Sequence, residues 1–193
     1  LRSFGGALCI WGWMRLRGLP MAIAPGTWPA GLLIGALFAV EFICLFIALD
    51  LTTVTRSSVI FYTMQVWLTL MGHVLIPGEQ ITRRKGLGLA LAFAGVVVAV
   101  PLRGHGAGGQ GSVLGDLCAL VAAFAWAGIA LLAKASSLRQ VRPETQLLWQ
   151  LVVSAPLLML AAFAFGPFLR SPEWIHWAGL AFQIVMIVSA GFL

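Results

Sequence analysis

One acidic residue interrupts a long apolar stretch in the first quarter of the chain. Glu41 lies near the middle of the run at about 28–49. At the centre of a bilayer an ionised side chain costs about 2.5–3.5 kcal/mol on insertion scales, so such residues usually face a cavity or a bundle interior. Glu41 could therefore carry a proton or bind a cation. The alternative is a protonated glutamic acid that hydrogen-bonds a neighbouring helix, since burial favours the uncharged form.

Polar side chains recur along one face of two other apolar runs. In the first run they follow at spacings of four, three, four and four residues: Ser58, Tyr62, Gln65, Thr69 and His73. In the second run they are Gln146, Gln150 and Ser154, just before Pro156, which frees a carbonyl and can kink a helix. These stripes could bind polar ligand groups. Interhelical hydrogen bonds, worth about 0.6 kcal/mol each, are the alternative.

Among the tryptophans, Trp126 is the best candidate for stacking on an aromatic or cationic ligand, with helix packing as the alternative. The three cysteines stand alone, and the three histidines are scattered. Neither HExxH nor GxSxG occurs, so hydrolytic chemistry has no sequence support. We therefore expect no enzyme activity, no metal and no cofactor.

The elements that position these residues follow from composition. Hydrophobic residues make up 61% of the 193 residues and charged residues 9%, against about 25% in soluble domains. A bilayer core needs roughly 20 apolar residues of helix, and the runs lack the period-two alternation of a membrane barrel. We predict an all-α polytopic membrane protein with about seven segments, at 3–16, 28–49, 57–77, 86–102, 113–133, 146–168 and 174–193.

The positive charges alternate between the two sides of this predicted bundle. Eight fall on one side: Arg15, Arg17, Arg83, Arg84, Lys85, Lys134, Arg139 and Arg142. Four fall on the other: Arg2, Arg56, Arg103 and Arg170. The richer side is expected to be cytoplasmic, which places the start of the first segment outside. Because these cations form short clusters instead of one basic stripe, we expect no nucleic-acid partner.

Small residues at four-residue spacing predict close helix packing in Gly31/Gly35, Gly86/Ala90/Ala94 and Ala119/Ala123/Ala127. A glycine-rich stretch at 103–112 has the composition of a flexible linker. We expect it to separate residues 1–102 from residues 113–193. Both end segments look shortened, so the chain is expected to be a fragment.

Several short motifs resemble those of the EamA-like drug/metabolite transporter superfamily. They are Ala48-Leu49 at a helix end, Gly78-Glu79-Gln80-Ile81-Thr82, the basic step Arg83-Arg84-Lys85, the glycine- and alanine-rich run 86–98, and the run Gly115-Asp116 to Trp126. The resemblance implies helices two to eight of a ten-helix transporter built from two inverted repeats. Residues 1–102 would then be part of the first repeat, and residues 113–193 part of the second. The family often carries a proline in the middle of helix four, where this chain has Gln65.

The resemblance implies a secondary transporter of small metabolites or drugs, with proton-coupled export by alternating access across the cytoplasmic (inner) membrane. Its substrate site would lie at the membrane midplane and include Glu41, Tyr62, Gln65, Trp126 and Gln150. Its partners would be a small-molecule substrate and the lipid bilayer, and a homodimer stays open. The alternative is a membrane scaffold or subunit without transport of its own, for which the packing seams suffice.

Overall fold

The computed structural model describes residues 2–19, 25–102, 112–165 and 173–184. Within these ranges the chain is helical and contains no strand. The α-helices are α1 (Arg2–Leu16), α2 (Trp28–Leu51), α3 (Val54–Phe61), α4 (Met64–Leu75), α5 (Arg83–Leu102), α6 (Val113–Ala135), α7 (Pro143–Phe165) and α8 (Trp174–Phe182). They follow the seven predicted segments, with α3 and α4 together forming the third, while the predicted segment ends at 166–168 and 185–193 lie outside the described residues.

Four helical stretches among the described residues are long and apolar enough to cross a membrane: Trp28–Leu51, Val54–Leu75, Val113–Ala135 and Pro143–Ala164. Large apolar side chains are exposed along these helices, among them Phe46 and Leu160. In water such exposure would be costly, whereas lipid tails solvate it. The predicted class, an all-α polytopic membrane protein, is confirmed.

The third segment is broken in its middle, although the sequence predicts one continuous helix at 57–77. Helix α3 ends at Phe61, and α4 begins at Met64. The Thr63 amide donates to the Ile60 carbonyl at 3.0 Å, and the Val66 amide donates to the Thr63 carbonyl at 2.8 Å. These are three-residue spacings, which tighten the backbone where a continuous α-helix would use four. A turn at Thr63 therefore breaks this span without a proline.

The helices group into two compact units, residues 1–39 with 137–193 and residues 40–136. In the first unit α1 packs against α7. Its buried core consists of Ala7, Ile10, Met14, Leu147, Leu148 and Leu151, with Phe38 packed against it. Helix α7 continues through Pro156, so this proline does not end the helix.

The seam predicted at Gly31/Gly35 brings two helices of the first unit together. A Cβ atom added to Gly35 would lie 2.7 Å from Cγ1 of Val153 in α7 and closer still to its Cβ. Real Cβ atoms essentially never approach a neighbour so closely. Glycine is therefore required at position 35 for α2 and α7 to pack as they do.

The second unit is built around α6, which packs against α3 and α4. The alanines of its predicted seam, Ala119, Ala123 and Ala127, are fully buried. Ala119 shares a small core with Ala48 and Ile60. Helix α5 contacts α3 and, less extensively, α4. In its predicted seam Gly86 is half-buried, but Ala90 and Ala94 are exposed, so these two alanines do not pack closely against another described helix.

The predicted glycine-rich linker falls at 103–112, and residues 103–111 lie outside the described residues. The division into a first repeat at 1–102 and a second repeat at 113–193 stays a prediction. In the structure α6, which the sequence assigns to the second repeat, packs against α3 and α4, which it assigns to the first.

Candidate functional site

Glu41 lies within the apolar helix α2. Only 4% of its surface is exposed, and it belongs to the same compact unit as α3, α4 and α6. A carboxyl group is retained in so apolar a position when it pairs with another polar group or when it moves a proton or a ligand. Its burial agrees with both interpretations that the sequence leaves open.

The break between α3 and α4 is closed by side chains as well as by backbone. Thr63 is buried, and its hydroxyl donates to the Ile60 carbonyl at 2.6 Å. The same oxygen accepts a hydrogen bond of 3.1 Å from the indole Nε1 of Trp67. Trp67 in turn stacks on Phe124 of α6, with ring centroids 4.1 Å apart and planes inclined by 29°. Thr63, Trp67 and Phe124 therefore form one connected cluster at the break.

Tyr62 and Gln65, two of the predicted site residues, lie on either side of Thr63, and both are exposed. Tyr62 is the C-cap residue of α3 and the first residue of the turn, with 67% of its surface exposed. The structure therefore brings these two polar groups to the broken part of the span.

The rest of that polar stripe is engaged locally. The Ser58 hydroxyl donates to the Val54 carbonyl at 2.7 Å, and the Thr69 hydroxyl donates to the Gln65 carbonyl at 2.8 Å. The Nδ1 atom of His73 accepts a hydrogen bond of 3.3 Å from the Ile81 amide. For these three residues, local hydrogen bonding explains the polar side chain.

The remaining two predicted residues lie on other helices. Trp126 is half-buried in α6, and the stacked pair near the break involves Trp67 and Phe124 instead. Gln150 is half-buried in α7, which belongs to the other compact unit. Its neighbour Gln146 donates to the carbonyls of Leu138 and Val141 at 2.8 and 3.0 Å, which is a structural role.

Helix α6 carries an ion pair near each end. Near its start, Arg56 of α3 donates to Asp116 through Nε, 2.8 Å from Oδ1, and through a terminal guanidinium nitrogen to Oδ2. The two side chains are only 18% and 20% exposed. Near its other end, Nζ of Lys134 lies 3.2 Å from Oε1 of Glu79, and both side chains are about half exposed. Exposed pairs contribute about 0–1 kcal/mol, so the first pair is the stronger link.

Sequence analysis missed three of these features: Thr63, the Trp67–Phe124 stack and the Arg56–Asp116 pair. Two of them have a feature in the sequence that could have pointed to them. Arg56 and Asp116 are opposite charges at predicted segment ends on the same side of the membrane, and Trp67 lies inside an apolar run. Among the residues that the structure describes, no group of three His, Cys, Asp or Glu side chains could hold a metal ion.

Replacing Thr63 by valine tests the hydroxyl at the break. Valine keeps the shape but removes the bond to Ile60 and strands the Trp67 indole, so we expect a loss of about 1–3 kcal/mol in stability. Thr69→Val is the matched control, because its hydroxyl makes only one bond within its own helix turn. Thermal unfolding of the purified variants in detergent should show a clear loss for Thr63→Val alone. Equal melting temperatures for the two variants would contradict the role given to Thr63.

The helices, their apolar exposure and the buried carboxyl group define a multi-pass α-helical membrane protein. The chain belongs to the EamA-like transporter family, whose model matches residues 2–100. It is also 27% identical over 137 residues to a Bacillus subtilis (strain 168) protein named "Uncharacterized transporter YoaV". That match covers 71% of this chain and 46% of the relative, so the chain spans about half the length of the curated relative that it matches. No solved structure matches it.

Proposed function

We propose that this protein is a secondary transporter that exports small metabolites or drugs across the cytoplasmic membrane. Family membership supports the class, and the observation that carries the proposal is Glu41, a carboxyl group 4% exposed in an apolar span. Intramembrane ionisable residues commonly mark substrate pathways and proton relays.

In this proposal the substrate binds beside the break between α3 and α4. Discontinuous helices in transporters place unwound backbone groups at the binding site. Tyr62 and Gln65 would bind polar groups of the substrate at the turn, and Trp126 of α6 would offer an aromatic face. Gln150 stays a prediction from the sequence alone.

Proton coupling would depend on Glu41. The carboxyl group would be protonated when the substrate is absent and would release its proton as a substrate amine or cation binds. The proton and the substrate cation would then bind the same carboxylate in turn, because two positive charges held together in an apolar bundle repel each other. The proton gradient then drives export, since protons enter from the side where they are more concentrated.

The test compares metabolites outside cells that express the full-length protein with those outside cells that express equal amounts of the Glu41→Gln variant. The control is Asp50→Asn, which removes an exposed carboxylate at the C-terminal end of the same helix. We expect one or a few metabolites to be raised by the unmodified protein and by Asp50→Asn but not by Glu41→Gln. Profiles that match those of cells without the protein would favour a membrane scaffold over a transporter.

A further inference from the structure

The pair between Arg56 and Asp116 has the geometry by which a guanidinium group recognises any carboxylate. Two parallel N–H groups of Arg56 donate to the two oxygens of Asp116. Such fork-to-fork pairing is stronger and more specific than a single charged hydrogen bond. About four fifths of each side chain is removed from solvent. Arg56 therefore holds a carboxylate in a site that is largely closed but still reachable.

Two buried hydroxyl groups accompany this pair. Ser57, which follows Arg56, is fully buried, and Thr52 is 8% exposed. Neither Ser57 Oγ nor Thr52 Oγ1 has a hydrogen-bond partner among the residues that the structure describes. Buried hydroxyls without partners are unfavourable and uncommon in folded proteins. Both could donate to an oxygen of a bound ligand.

Thr52 lies directly against the start of α6. Its Cγ2 and Cβ atoms are 3.2 and 3.3 Å from the position that a Cβ atom on Gly115 would occupy. Gly115 immediately precedes Asp116, the partner of Arg56. The Thr52 side chain is therefore packed, through its methyl group and Cβ, on the helix turn that carries the carboxylate. Ser57 belongs to the helix turn that carries the guanidinium.

The helix directions add to the preference for an anion. Helices α3 and α6 both begin here, and the first turn of a helix carries partial positive charge and amides without helical partners. Thr53 caps α3 by accepting a hydrogen bond of 3.3 Å from the Arg56 amide. At α6 the side chain of the N-cap residue Ser112 makes no capping bond.

From these contacts we propose that Arg56, Thr52 and Ser57 form a carboxylate-binding site, in which Asp116 takes the place of the ligand's carboxylate when no ligand is bound. An incoming carboxylate exchanges with that of Asp116 on the guanidinium and accepts hydrogen bonds from the two hydroxyls. The identification of this ligand as a transported organic acid or amino acid rests on the proposed function. The site itself rests on the contacts alone.

The first test measures carboxylate binding directly. Thermal unfolding of the purified full-length protein in detergent is followed in acetate, with acetamide as the neutral isostere and chloride added to keep the ionic strength constant. In Asp116→Asn the competing carboxylate is gone, so we expect acetate to stabilise this variant with an apparent affinity about tenfold or more above that of the unmodified protein. Acetamide should have no effect. Equal responses to acetate and acetamide would overturn the proposal.

The second test asks whether the two hydroxyls touch the ligand. In the Asp116→Asn background, Thr52→Val and Ser57→Ala together should weaken the acetate affinity about tenfold. Ser58→Ala is the matched control, because the Ser58 hydroxyl already donates to the Val54 carbonyl. Arg56→Lys should also weaken binding, because lysine keeps the charge but loses the fork. An acetate affinity that all these variants leave unchanged would contradict the site.

These measurements separate the proposed site from the proposed transport. Acetate binding needs no gradient and no flux, so it can succeed even if no metabolite is exported. In that case the carboxylate site stands and the transporter proposal fails. If export depends on Glu41 but acetate does not bind, the transporter proposal stands and Arg56–Asp116 is a structural pair.

Discussion

In proteoliposomes, the substrate flux that a pH gradient drives through the Glu41→Gln variant is expected to be at least about tenfold lower than the flux through the unmodified protein. The carboxamide keeps the size and hydrogen-bonding capacity of the protonated acid, but it cannot take up or release a proton. Exchange of labelled for unlabelled substrate needs no net proton movement, but it should fall as well, because in the proposed exchange the same carboxylate binds the substrate amine or cation. The comparison uses the full-length protein and a substrate identified by metabolite profiling.

The control for this experiment is again Asp50→Asn, since Asp50 is the exposed carboxylate of the same helix. It should respond to the pH gradient as the unmodified protein does. A Glu41→Gln variant that is still driven by the gradient would place proton coupling elsewhere. A variant that keeps exchange but no longer responds to the gradient would make Glu41 a coupling group that does not bind the substrate.

Gly35→Leu is expected to have the largest effect on stability. Even a Cβ atom at this position would collide with the Val153 side chain of α7, so the larger leucine forces α2 and α7 apart. Overpacking typically costs about 1–3 kcal/mol and occasionally more. We expect the purified variant to melt several degrees lower than the unmodified protein, or to be recovered in much smaller amounts from membranes.

The matched control is Gly95→Leu. Gly95 lies within α5, and nothing is found within 4 Å of the position that its Cβ would occupy. Leucine favours the helix over glycine by up to about 1 kcal/mol, so this variant should be as stable as the unmodified protein or more stable. If the two leucine variants melted alike, the contact between α2 and α7 at Gly35 would not support the fold.

Much of the fold could be predicted because the constraints act within single segments. A bilayer demands long apolar helices, and their ends coincide with charged or glycine-containing turns. The burial of Glu41 and the close packing of Gly35 follow from one residue and its nearest sequence neighbours. Such features need no knowledge of which helix packs against which.

The contacts that shape the candidate site could not be predicted in this way. Arg56 and Asp116 are 60 residues apart in sequence, and only the packing of α3 on α6 brings them together. The turn between α3 and α4 contains no proline or glycine that would indicate it in the sequence. It depends on a side-chain hydroxyl that bonds the Ile60 carbonyl and on a tryptophan that stacks across to α6.

The turn at Thr63 divides the third span into two helices, α3 and α4, instead of one continuous helix. The two ends of a continuous helix share one axis, whereas the axes of two helices joined by a turn can have different directions. Here Arg56 of α3 forms an ion pair near one end of α6. Glu79, which follows α4, forms an ion pair near the opposite end of α6. Each half of the span therefore has its own ion pair with α6, so the loss of one pair would leave the other in place.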